Sequence, residues 1–134
     1  CCPECSTTGS DSCYKITSSS NYNSSTNQTT FTYTVERIGS GPSCQEISHW
    51  VLDFGENIDQ SRIVFRDGGT YTGPNEPTGV PKDHGIKWDW KKSWDNSHTF
   101  TVVITGCVPA NAVSAGKIKA GQNVVTLEVC QPNL

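Results

Sequence analysis

Apolar residues recur at every second position through most of this chain. In residues 29–38, Phe31, Tyr33 and Val35 fall on one face, and Thr30, Thr32, Thr34 and Glu36 on the other. That alternation, made of strong β-formers, predicts a half-buried strand. Residues 47–54 repeat it, with Trp50, Leu52 and Phe54 opposite His49, Val51 and Asp53. Ile86, Trp88 and Trp90 alternate, as do Phe100, Val102 and Ile104, and Val125, Leu127 and Val129. Shorter runs at 13–17, 61–67, 70–73 and 112–121 also read as strands, with Gly68-Gly69 as a hairpin turn. Residues 18–29 are polar and read as a turn or loop, and residues 74–85 as a long proline-bearing loop. No window has helical periodicity, and no internal repeat is present.

About eight short strands at this spacing predict an all-β fold, an antiparallel β-sandwich of jelly-roll or immunoglobulin-like type. Strands with one polar face suit sheets that each keep a wet side. Residues 1–12 carry no apolar periodicity and read as a flexible, cysteine-bearing N-terminal arm. Residues 13–134 read as the sandwich.

Composition narrows the setting. The 134 residues make one domain's worth of chain, long enough for a core without staples. Charged residues are 17 %, below the roughly 25 % usual in soluble domains; Ser, Thr, Asn and Gly take their place. A net charge of −3 gives no basic footprint, so nucleic acid is not an expected partner. No apolar run reaches the roughly 20 residues of a membrane helix. Seven cysteines point to an oxidising compartment, hence an extracellular or cell-surface location. The start at Cys1 without any Met carries the expectation of a removed leader or a trimmed sequence. Asn23 and Asn27 head two glycosylation sequons in a Ser/Asn/Thr-rich run.

Sequence chemistry for catalysis is thin. Ser48, His49 and Asp53 invite a hydrolase reading, but adjacent residues on a strand point to opposite faces. No nucleophile elbow, zinc-protease helix or phosphate loop occurs. Cys2 and Cys5 have ligand-like spacing without a second pair, so zinc is not expected. The Asp/Asn-rich loops at 53–60 and 83–89 lack a calcium-loop pattern. The expectation is a protein that is not an enzyme and needs no cofactor or metal. Trp88 and Trp90 read as core. Trp94, beyond the strand, is the candidate for stacking on a sugar ring.

Five motifs in order, TTFTYTV, ISHWVLDF, GIKWDW, FTVVITG and VSAGKIKAG, give residues 30–121 a resemblance to secreted bacterial surface domains. The resemblance implies an extracellular β-sandwich and names no ligand. A Cys-bearing arm on such a sandwich also resembles, in architecture, the subunits of bacterial disulfide-linked fibres such as endospore appendages. There the arm of one subunit docks into others and is cross-linked to them.

The cysteines allow two main readings. Seven is odd, so one pairing scheme is three internal bridges with one thiol left over. In the other, Cys1, Cys2 and Cys5 on the arm bond to other subunits, while Cys13, Cys44, Cys107 and Cys130 belong to the body. Adjacent Cys1 and Cys2 point to opposite sides of an extended chain, which suits two different partners and favours the second scheme. A lipid on Cys1 would leave the neighbouring thiols unexplained. The expectation is thus a structural subunit of an extracellular fibre or surface appendage, its partners copies of itself. The alternative is a secreted carbohydrate-binding or adhesive module directed at surface glycans.

Overall fold

The computed structural model describes residues 2–134, and Cys1 lies outside them. Ten strands run in chain order: β1 Ser6–Ser10, β2 Tyr14–Asn23, β3 Gln28–Arg37, β4 Ile47–Asp53, β5 Ile63–Phe65, β6 Thr70–Tyr71, β7 Gly85–Asp89, β8 Ser97–Thr105, β9 Ala110–Ala120 and β10 Asn123–Pro132. They form two antiparallel sheets of five, ordered β1-β2-β3-β8-β5 and β10-β9-β4-β7-β6. The inner part of this order, β2-β3-β8-β5 against β10-β9-β4, is the immunoglobulin-like A-B-E-D and G-F-C arrangement. Of the two sandwich types expected from the sequence, the topology selects that one. β1 is added beside β2, and β7 and β6 extend the second sheet.

The core follows the alternation. Phe31, Tyr33 and Val35 of β3 face Trp50 and Leu52 of β4 across the sandwich, with Phe100, Val102 and Ile104 of β8 beside them, all essentially without solvent exposure. Trp50 stacks on Trp88 at 4.9 Å and meets Tyr33 and Phe100 at 5.6 and 5.4 Å. Offset and tilted aromatic pairs of this kind add about 0.5–1.5 kcal/mol each beyond their buried area. The Tyr33 hydroxyl donates to the Cys130 carbonyl at 2.6 Å, so even the polar end of that ring is satisfied.

Four features differ from the sequence reading. The arm expected over residues 1–12 is an edge strand from Ser6 to Ser10, paired along its length with β2. The polar run from residue 18 is not a loop but the second half of β2, which continues to Asn23. Ser18 and Ser20 occupy core-facing positions there because their hydroxyls accept backbone N–H groups, from Cys130 at 2.9 Å and Cys5 at 2.8 Å. A small hydroxyl thus does the work of a core residue by capping a neighbour's backbone donor.

Third, Gly68-Gly69 does not close a hairpin: β5 belongs to one sheet and β6 to the other. Asp67 and Gly68 both have positive φ, and Gly69 lies so close to Ile86 and Trp88 that a Cβ would collide with them. The crossing is pinned at both ends. Trp88 Nε1 donates to the carbonyls of Arg66 and Asp67, and Asp67 Oδ2 accepts from the Thr101 N–H of β8. Fourth, the face of β4 bearing His49 and Val51 is not wet. The loop of residues 73–84 folds over it, and Val51 and Val80 are both buried there.

Candidate functional site

Three local arrangements carry the chemistry of this molecule. The first is the cysteine-rich N-terminal end. Among the described residues, three disulfides form: Cys2–Cys107, Cys5–Cys130 and Cys13–Cys44, with Cα separations of 5.6, 6.0 and 5.1 Å. All lie within the distance range that permits a bridge. Cys2 and Cys5, expected to reach neighbouring subunits, are bonded here within their own chain. The body cysteines Cys107 and Cys130 are their partners, and Cys13 pairs with Cys44. Cys1, also expected to reach a neighbouring subunit, lies outside the described residues.

The reason is strand placement. β1 adds to the edge of the first sheet, and that edge packs on β10 of the second. Gly9 sits against the backbone of Glu128 with no room for a side chain, and the Thr7 hydroxyl donates to the Glu128 carboxylate. Cys5 is held by two bonds to Ser20, its N–H to the hydroxyl and its carbonyl from the N–H. This sets its sulfur over the fully buried Cys130. Cys2, Pro3 and Glu4 differ. Among the described residues they make no hydrogen bond to the sandwich, and the Cys107 they reach is exposed.

The second arrangement is a carboxylate under the 73–84 loop. The Glu76 side chain is 1 % exposed. Its Oε2 accepts from His49 Nε2 at 2.9 Å, from the Thr78 N–H at 2.9 Å and from the Thr78 hydroxyl at 2.8 Å; Lys87 Nζ lies 3.3 Å from Oε1. Burial by itself would raise this carboxyl. The hydrogen bonds from Thr78 and His49, with the charge of His49, outweigh burial and lower it from 4.5 to about 2. The arrangement fastens a loop to a sheet. Ser48 and Asp53 take no part: the Ser48 hydroxyl donates to the Lys119 carbonyl, and the Asp53 carboxylate accepts from the Gly55 N–H. Glu76 had no sequence signal beyond being a lone acid between two prolines.

The third is a cleft of about 420 Å³ at one end of the sandwich, where the end of β3, the start of β4 and the β7–β8 connection meet. Trp90 lines it and Trp94 does not. Trp94, the sugar-stacking candidate, has its ring flat on His98, at 3.9 Å and 14°, with Lys91 Nζ 5.6 Å from its centroid. Burial in this cluster lowers the His98 pKa, with Asp67 opposing and Lys91 reinforcing the shift.

Asn23, the last residue of β2, and Asn27, in the turn before β3, are both exposed, and their side-chain oxygens accept from the Ser25 N–H and the Tyr22 hydroxyl. Among the described residues no cluster of three or more His, Cys, Asp or Glu is arranged to hold a metal ion, and no helix is long and apolar enough to cross a membrane. No protein-family model, no curated protein and no solved structure matches the chain.

Proposed function

We propose that this chain is a structural subunit of an extracellular fibre or surface appendage, joined to copies of itself through its N-terminal cysteines. The observation that supports it is the contrast between the two N-terminal bridges. Cys5–Cys130 is built into the sandwich. Cys2–Cys107 is a bond on the surface, made by a segment with no hydrogen bond of its own to the sandwich. Closing that bridge on the Cys107 of a neighbour sacrifices no backbone pairing. It also leaves the number of disulfides unchanged, so the exchange needs no net oxidant.

Geometry limits the assembly. Cys2 lies three residue steps before Cys5, with Pro3 and Glu4 between them, a reach of about 10 Å at ~3.3–3.6 Å per residue. A neighbour must therefore present its Cys107 close beside the Cys5–Cys130 bridge, which means tightly stacked subunits. A contact of this head-to-tail kind is heterologous and, where it does not close, propagates as a filament. The odd number of cysteines adds a further thiol for such links.

The test is a denaturing gel of native material with and without reductant, followed by mapping of the disulfide-linked peptides. A ladder that collapses to the single-chain mass on reduction is the expected result, with Cys2 or Cys1 joined to Cys107 only in the polymer. A single monomer band in both lanes, with every bridge internal, would overturn the proposal.

A further inference from the structure

We infer that the end cleft beside Trp90 is a binding site for a neutral saccharide unit. This stands apart from the fibre reading, because it uses none of the cysteines that would make links between subunits. A volume of about 420 Å³ lies within the ~300–1,000 Å³ typical of small-molecule sites.

Trp90 and Arg37 are anchored at the cleft by backbone and side-chain bonds, while the charged ends of Glu46, Lys92 and Asp95 stay uncommitted. Trp90 is anchored twice, by its N–H to the Ser48 carbonyl and by Nε1 to the Asp95 carbonyl, both at 2.9 Å. Asp95 adopts φ 55° and ψ −117°, a strained backbone for a residue with a side chain. Strain of this sort persists where the surroundings enforce it and is concentrated at functional positions. Arg37 is held from both sides. Its N–H donates to the Asn96 carbonyl at 2.8 Å, and its Nε donates to the carbonyl of Cys44, which the Cys13 bridge ties down. Nη1 reaches the Asn96 side-chain oxygen at 3.5 Å. Among the described residues the carboxylates of Glu46 and Asp95 and the ammonium of Lys92 have no hydrogen bond or ion pair.

This set selects a ligand class. Two cations, Arg37 and Lys92, and two carboxylates, Glu46 and Asp95, sum to zero, so a charged ligand meets as much repulsion as attraction. A purely apolar ligand would desolvate four charges without compensation. A sugar hydroxyl both donates and accepts, and so it can bond to either kind of group. The apolar component is in place as well. Ile47 lies in the lining, and no aromatic neighbour lies flat on the Trp90 indole: Trp94 meets it at 89° and Phe100 at 50°. Trp90 borders the cleft and is the indole placed to meet the C–H face of a pyranose there, whereas Trp94 has the His98 ring flat against it.

The experiment is an NMR titration of the monomeric protein with chitobiose, cellobiose and lactose, using acetate and phosphate as charged controls. At least one sugar should give saturable shifts confined to the residues that line the cleft, the Trp90 indole N–H among them. Affinity should fall about tenfold or more in Glu46→Ala and in Trp90→Phe, and stay unchanged in Trp94→Phe. Glu46 is exposed, so its variant keeps the test meaningful should Trp90→Phe fold poorly. The inference is overturned if no sugar gives a saturable shift, if Glu46→Ala binds as well as the parent, or if only acetate or phosphate occupies the cleft. None of these outcomes depends on whether the chain polymerises.

Discussion

Two segments lie over this sandwich, and opposite chemistry fastens them. The stretch ahead of β1, residues 2–5, is tied down by the disulfides Cys2–Cys107 and Cys5–Cys130. The 73–84 loop is held by one buried carboxylate gripped by His49, Thr78 and Lys87. The first fastening ignores acid and yields to reductant; the second ignores reductant and yields to acid. A protein built this way has two independent weak points, and a condition that opens one leaves the other closed.

The largest effect should come from removing the buried bridge. Cys5→Ser with Cys130→Ser frees a loop that now spans 125 residues of sequence, and loss of such a bridge costs about 2–5 kcal/mol. The denaturation midpoint should fall accordingly, while acid sensitivity of the 73–84 loop stays as in the parent. Stepwise reduction with timed alkylation sharpens the point: the exposed Cys2–Cys107 should open before Cys5–Cys130. Equal opening rates would remove the distinction on which the fibre reading rests.

Next in size is Glu76→Gln, which removes the charge from an acceptor of three hydrogen bonds. Bonds to charged groups contribute about 1.5–3 kcal/mol, and the loss should be visible in denaturant unfolding and in faster hydrogen exchange across 73–84. The pH dependence follows from the sign of the shift. The folded pKa, about 2, lies below the ordinary 4.5. The contribution is therefore complete above about 4.5 and is lost as pH falls towards 2. A displacement of this size corresponds to at most about 3 kcal/mol. Urea unfolding at pH 6, 4 and 2.5 should show the decline in the parent and its absence in the variant. An unchanged acid profile in Glu76→Gln would break the comparison.

The smallest effect belongs to Lys87→Met. Lys87 is the most exposed member of the cluster, its side chain 28 % exposed and 3.3 Å from Oε1, the oxygen that His49 and Thr78 leave free, and a pair open to water on one side contributes about 1 kcal/mol. Its removal should barely move the unfolding midpoint, and a loss rivalling that of Glu76→Gln would mean that Lys87 rather than His49 holds the loop.

Legibility in the sequence tracked apolar patterning. The strands of Phe31, Trp50, Trp88 and Phe100 were readable because each alternates large apolar with polar residues. The second half of β2 was not, because Ser18 and Ser20 are polar in composition and acquire a core role only when the backbones of Cys5 and Cys130 arrive beside them. β1 was missed for the same reason: Ser6–Ser10 has little side-chain bulk to bury and is held by its ladder with β2. Of the candidate sites, the cysteines were visible as a set, but their partners were not. The end cleft left only a weak trace, in a Trp-Asp-Asn segment after β7.

The chain by itself determined that this is an all-β sandwich with a disulfide-rich N-terminal end, because period-two patterning and cysteine count are local properties that any reader of the sequence can apply. Only the tertiary structure decided which cysteine meets which, that Glu76 lies on His49, and that Trp90 rather than Trp94 lines the cleft. Each of these is a contact between segments tens of residues apart, set by sheet order and register, and a contact of that range leaves no periodicity in the sequence to read.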